Sequence, residues 1–186
     1  MELFEFLMIL ISIIIGLGVT EVLSGAARLL RSRDSVRFYW IHVLFQVGIF
    51  LALLQIWWES WDLRLLPEIT YPQTCVLLLG PILLFLIAYL LFPDPVKSAD
   101  LRAYYFRQSP LLWGFVAAGT ATGTFLKPLS FHVEVLQADN VSGLLSLPLS
   151  IVLVATRKEK VHAVLASVIL GVLILDTALP GYLISG

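Results

Sequence analysis

The sequence predicts an all-α, polytopic membrane bundle: six transmembrane helices with both termini on the extracytoplasmic side, in a single domain spanning 1–186. Three observations predict it. Of 186 residues, 59% are hydrophobic and 13% charged, against roughly 25% charged in ordinary soluble domains, and mean hydropathy is +0.94. Uncharged runs recur at lengths that suit a helix crossing a hydrocarbon core, which takes about 20 residues. The basic residues collect in every second turn.

The first span, about 3–30, opens Met1-Glu2-Leu3-Phe4-Glu5 and carries no Lys or Arg before Arg28. A secretory signal has the reverse order, basic first and apolar second, so a retained helix entering from outside is expected. The second span, 37–59, holds 21 uncharged residues between Arg37 and Glu59. The third, 72–93, lies within the 25 uncharged residues between Glu68 and Asp94. The fourth, 109–127, lies within the 19 between Arg107 and Lys127. The fifth, 140–156, is the shortest, with 17 between Asp139 and Arg157, interrupted by Pro148. The sixth covers about 161–184. Segment 98–108 mixes Arg102 and Arg107 with Leu101, Tyr104, Tyr105 and Phe106, a pattern suited to a short amphipathic helix on the inner surface.

Orientation follows from Lys and Arg in the short loops. The first loop holds Arg28, Arg31, Arg33 and Arg37, the third Lys97, Arg102 and Arg107, and the fifth Arg157, Lys158 and Lys160, ten of the chain's twelve basic residues. The second and fourth hold Arg64 and Lys127 alone. Odd loops are therefore expected in the cytoplasm, which suits a bacterial-type inner membrane. Dropping the fifth span would put Arg157, Lys158 and Lys160 on the wrong side. The clusters Trp57-Trp58-Trp61 and Phe38-Tyr39-Trp40 fall where aromatic rings favour the headgroup level.

Lipid tails give helices little drive to associate, so small residues that permit close approach mark packing faces. Ser12, Gly16, Thr20 and Ser24 form one ridge, Gly119 and Gly123 a second, and Ala163, Ser167 and Gly171 a third. Packing within the chain is the plainer use of these ridges; a homo-oligomer contact is the other. The lipid bilayer is the expected surrounding, and a net charge of −1 gives no reason to expect nucleic acid.

Ionisable groups inside a membrane are costly and face the bundle interior. Two stand out. Glu21 falls in the inner half of the first helix, on one face with Gly18, Gly25 and Arg28, and the second helix offers His42 and Gln46 at similar depth. Asp176 falls in the outer half of the sixth. Pro180, four residues on, has no N–H for the Asp176 carbonyl, which would place a free carbonyl beside a carboxylate, oxygens of the kind that coordinate cations. Thr120 and Thr124 of the fourth helix lie at matching depth, and Glu5 sits near the outer end of the first.

The leading functional expectation is a small channel or transporter for protons or small cations, with Glu21 as inner and Asp176 as outer site. One alternative is a regulatory membrane protein that meets partners through its basic cytoplasmic loops. The other is a membrane enzyme without a familiar motif. The sequence has no H-E-x-x-H, G-x-S-x-G or phosphate loop, so no catalytic residue and no cofactor is nominated. No metal is nominated either: Cys75 stands alone, and His132 with Glu134 makes only two ligands. Asn140-Val141-Ser142 reads as a chance sequon beside a span.

Overall fold

The computed structural model describes residues 3–66, 68–94, 99–136 and 140–178. Among these the chain is helical throughout: α1 (Leu3–Arg31), α2 (Trp40–Glu59), α3 (Tyr71–Leu90), α4 (Leu101–Ala121), α5 (Lys127–Phe131), α6 (Val141–Ala155) and α7 (Glu159–Ala178). Short 3-10 turns follow α1 and α2, and a π turn, Thr122–Leu126, joins α4 to α5. Among the described residues the one extended pairing is an isolated parallel bridge between Arg37 and Asp100.

Among the described residues four segments are long and apolar enough to cross a membrane: Phe4–Arg31, Trp40–Leu65, Tyr71–Leu90 and Glu159–Ala178. The predicted fourth and fifth crossings are not among them. α4 opens on two polar turns that include Arg102, Arg107 and Gln108. α6 has 15 residues, a little over 20 Å at about 1.5 Å per residue. On α1 the apolar side chains of Phe6, Ile9, Ile13 and Leu17, each more than half exposed, form an outward stripe at helical spacing.

Helix ends are set by identifiable side chains. Thr70 and Gln73 make a capping box at the start of α3, and the Gln73 amide also donates to the Ser130 carbonyl at 2.8 Å, tying α3 to the end of α5. Asp100 caps α4 by accepting from the Ala103 N–H at 2.9 Å, relieving one orphan donor. The Tyr104 hydroxyl donates to the Leu90 carbonyl at 2.7 Å, with the Phe92 carbonyl 3.0 Å away. These are carbonyls that the end of α3 leaves without a helical partner.

α1 packs on α3 and α2, α4 on α6 and α3, and α7 on α2 and α6. The turns after α1, α3 and α6 gather at one end. The Arg37 N–H donates to the Ala99 carbonyl at 3.0 Å, and the Leu101 N–H to the Arg37 carbonyl at 3.1 Å. Arg102 pairs with Glu159 at 2.8 Å, and the Arg157 guanidinium donates to the Phe106 carbonyl. This is the basic end, and residues 101–108 belong to it as the first turns of α4. The expected surface helix is not separate. Leu101 and Tyr105 are fully buried, because that face of the segment packs into the bundle. Residues 95–98 lie outside the described residues.

The small-residue ridges divide. Gly18 and Gly25 are tight contacts: a Cβ on Gly25 would meet the Phe92 ring, and one on Gly18 would lie 2.9 Å from Leu53 Cδ2. The ridge read along Ser12, Gly16, Thr20 and Ser24 is not the packed one. Gly16 and Thr20 are exposed, and a Cβ on Gly16 would meet nothing. Uniformly apolar helices carry little sequence signal for which face turns inward, and the packed glycines lie around the helix from that ridge.

Candidate functional site

A cavity of about 370 Å³ lies among α2, α3, α4, α6 and α7. It exists because the helices turn small residues toward one another: Gly48 and Ala52 from α2, Gly80 from α3, Gly119 from α4, Gly123 from the π turn and Gly143 from α6 all lie on its wall. A Cβ at Gly123 would meet nothing within 4 Å, and one at Gly119 only Leu83 Cδ1 at 3.8 Å.

The two ends of the cavity differ. Toward the basic end it is closed by Phe45 and Trp113, whose ring centroids are 4.8 Å apart. Behind this floor the Trp113 Nε1–H donates to the Tyr105 hydroxyl at 3.0 Å, and that hydroxyl meets His162 Nδ1 at 2.9 Å. His162 Nε2 lies 3.0 Å from the Thr156 carbonyl. A carbonyl only accepts, so Nε2 carries the proton, Nδ1 is the acceptor, and the Tyr105 O–H donates to it. One neutral tautomer satisfies the whole chain. His162 is fully buried. Its basic neighbours belong to the turn before α7, whereas its own ring faces inward between Tyr105 and Phe106.

At the opposite end the wall is polar. Gln55 and Glu59 of α2 stand one helical turn apart, and Asp176 of α7 faces them. The Gln55 Nε2 group donates one hydrogen to Glu59 Oε1 at 2.9 Å and the other to Asp176 Oδ2 at 3.0 Å. Across the cavity lie Thr120, Thr124, Asn140 and Lys127.

The π turn shapes this second wall. Pro128 has no N–H, so the Thr124 carbonyl four residues earlier loses its helical donor. The Lys127 N–H turns instead to the Thr122 carbonyl, the wider pitch of a π turn, a feature frequent at functional sites. Asn140 fills the gap, its Nδ2 donating to the Thr124 carbonyl at 2.9 Å and to the Val135 carbonyl at 2.8 Å. α6 comes so close there that a Cβ on Gly143 would collide with Thr124 Oγ1.

Three of the residues singled out in the sequence, Asp176, Thr120 and Thr124, line this cavity. The other three do not. Glu21 is half-buried on α1, which packs on α3 and α2, whereas Asp176 sits on α7, which packs on α2 and α6. Among the described residues no hydrogen bond or ion pair joins Glu21 to His42, Gln46 or Arg28. His42 is fully buried, edge-on to Tyr104 and Tyr105 with ring centroids 5.9 Å away in both cases. Pro180, and with it the carbonyl argument for Asp176, lies outside the described residues. Gln55, Glu59, Lys127 and Asn140 are not among the site residues nominated from the sequence: Glu59, Lys127 and Asn140 end their expected spans, and Gln55 lies within one. The i, i+4 spacing of Gln55 and Glu59 in an otherwise uncharged helix was the signal available. Among the described residues no group of three or more His, Cys, Asp or Glu is arranged to hold a metal ion.

No protein-family model matches this chain, and no curated protein or solved structure matches it.

Proposed function

We propose that the chain is a six-span membrane protein with both termini outside, and that it takes up small organic molecules from the extracytoplasmic side into the cavity between α2, α3, α4, α6 and α7, as the binding site of a transporter does. The observation that carries this is the cavity itself. Its volume falls within the usual range of ligand sites, about 300–1,000 Å³, and its composition, apolar walls with a few convergent polar groups, is the usual one. The polar groups sit at the end away from the basic turns, so the positive-inside rule puts the mouth outside and the Phe45–Trp113 floor toward the cytoplasm. The rod of α4, the π turn and α5 makes the fourth crossing, and α6 the fifth. Glu21 has no part in this reading: among the described residues its helix, α1, contributes no side chain to the cavity wall, which gives no support to a continuous path between the two carboxylates.

Substituted-cysteine labelling tests the reading. In a Cys75→Ser background, Thr120→Cys is expected to react with a small membrane-impermeant maleimide added outside intact cells, and Ser32→Cys only after the membrane is opened. Ile13→Cys, on the exposed apolar stripe of α1, is expected to stay unlabelled in both. Labelling of Thr120→Cys only from the cytoplasmic side, or not at all, would overturn the proposed access.

A further inference from the structure

Resting on that binding site, we infer that its ligand is an organic cation, a primary ammonium carried on an apolar body. Among the described residues the charged side chains on the cavity wall are the two carboxylates Glu59 and Asp176 and the ammonium of Lys127. The polar end is also one-sided in hydrogen bonding. Both N–H bonds of the Gln55 amide are committed, one to each carboxylate. That fixes the amide orientation and leaves Gln55 Oε1 buried and accepting from no donor among the described residues. Glu59, Asp176 and the Gln55 carbonyl oxygen therefore form a group of acceptors from α2 and α7. A buried acceptor without a donor is costly and rare in folded proteins. An ammonium has three N–H donors and no acceptor, the complement of this set, and hydrogen bonds between an ammonium and carboxylates are of the stronger, charge-assisted kind.

The rest of the cavity argues against a bare metal ion. A sodium ion would use the oxygens and leave the apolar remainder empty, along Ile49, Leu83, Leu170 and the Phe45–Trp113 floor. An alkyl or aryl body fills it, and the floor presents aromatic rings. Lys127, on the far wall, repels a second cation and sets the stoichiometry at one.

The test is calorimetric titration of the full chain in phosphatidylcholine nanodiscs at neutral pH. The probes are 2-phenylethylammonium, 2-phenylethanol (the same skeleton with a neutral hydroxyl) and sodium chloride. The ammonium is expected to bind at least tenfold more tightly than the alcohol. Asp176→Asn and Glu59→Gln, each isosteric, are expected to remove most of that margin while leaving alcohol binding in place. Lys127→Gln, at an exposed position where folding is not at stake, is expected to tighten ammonium binding severalfold. If the alcohol binds as well as the ammonium, or if Lys127→Gln leaves ammonium affinity unchanged or weakens it, the cationic inference is wrong and the cavity reading survives. Sodium displacing the ammonium at equal concentration would assign the site to inorganic cations and also overturn the inference. Failure of both organic probes to bind would sink the cavity reading as well.

Discussion

Trp113→Ala is expected to cost the folded chain about 3–5 kcal/mol, the range for removing a large buried aromatic side chain. Trp113 is 2% exposed, and its ring packs on Phe45 to close the cavity floor. Two losses combine in the alanine variant: the packing of the ring, and the donor that satisfies the Tyr105 oxygen. Trp113→Phe separates them. It keeps most of the ring contact and loses only the hydrogen bond, a change worth about 1 kcal/mol. Equilibrium unfolding in mixed detergent micelles, monitored by far-UV circular dichroism, reads both. The expected order is wild type, then phenylalanine, then alanine, with the larger step last. Equal losses for the two variants would mean that the hydrogen-bond chain through Tyr105 and His162, and not the packing, holds α4 against α7. The chain links three helices at the basic end: Trp113 and Tyr105 from α4, His162 from α7, and Thr156 just past α6. By contrast the exposed Arg102–Glu159 pair, with side chains 59% and 43% exposed, belongs to the class worth about 0–1 kcal/mol.

Gly119→Leu is expected to abolish binding in the cavity while leaving the protein folded. The glycine lies on the cavity wall with only Leu83 Cδ1 near the position of a Cβ. A leucine there grows into space that a ligand would otherwise occupy, without displacing backbone. Most substitutions that remove a function in a small helical bundle do so by unfolding it. This one fills a void, and filling a void adds dispersion contacts rather than removing them. The titration described above, repeated on Gly119→Leu, is expected to show no heat from either organic probe, with a melting temperature at or above that of the parent. Retained binding would mean that the ligand sits elsewhere. Gly143→Leu is the instructive contrast. A Cβ at Gly143 meets the buried Thr124, so that variant is expected to lose stability and binding together.

The rods were legible in the sequence because they depend on one-dimensional signals: length of apolar run and placement of charge. Their ends were less so: α4 begins at Leu101, well before the expected 109. The gathering of the odd turns at one end was legible for the same reason, and Arg37, Arg102 and Arg157 all make contacts there. Which helices neighbour one another was not legible. A helix that is apolar on every side shows no preferred face, so Glu21 and Asp176 looked alike as isolated acids, and only the packing separates them. For the glycines of α1 the signal was split: the face of Gly18, Glu21 and Gly25 is the packed one, and the ridge through Gly16 is not. Gly25 rather than Gly16 meets a neighbour, and Gly119 and Gly123, read as packing residues, line a void. The polar wall was half legible. Asp176, Thr120 and Thr124 were matched by depth alone, which antiparallel rods preserve. Glu59 and Asn140 were discounted because they end their spans. Yet the polar end of the cavity is built at span ends. The π turn had a local sign in Pro128, which strips the Thr124 carbonyl of its donor, but its consequence depended on Asn140 arriving from the next segment.

The central claim is that the space between these helices is a water-accessible cavity and neither packed protein nor lipid. Power-saturation electron paramagnetic resonance of a nitroxide at Gly119→Cys, in the Cys75→Ser background, tests it most directly. A nitroxide at Ile13→Cys serves as the lipid-facing reference. Gly119 lies about two turns from the mouth at Lys127, so a label there reports the cavity interior. Frequent collision with a water-soluble nickel chelate is expected at Gly119→Cys and almost none at Ile13→Cys, where oxygen dominates instead. An oxygen-dominated signal at Gly119→Cys, or collision with neither agent, would contradict it.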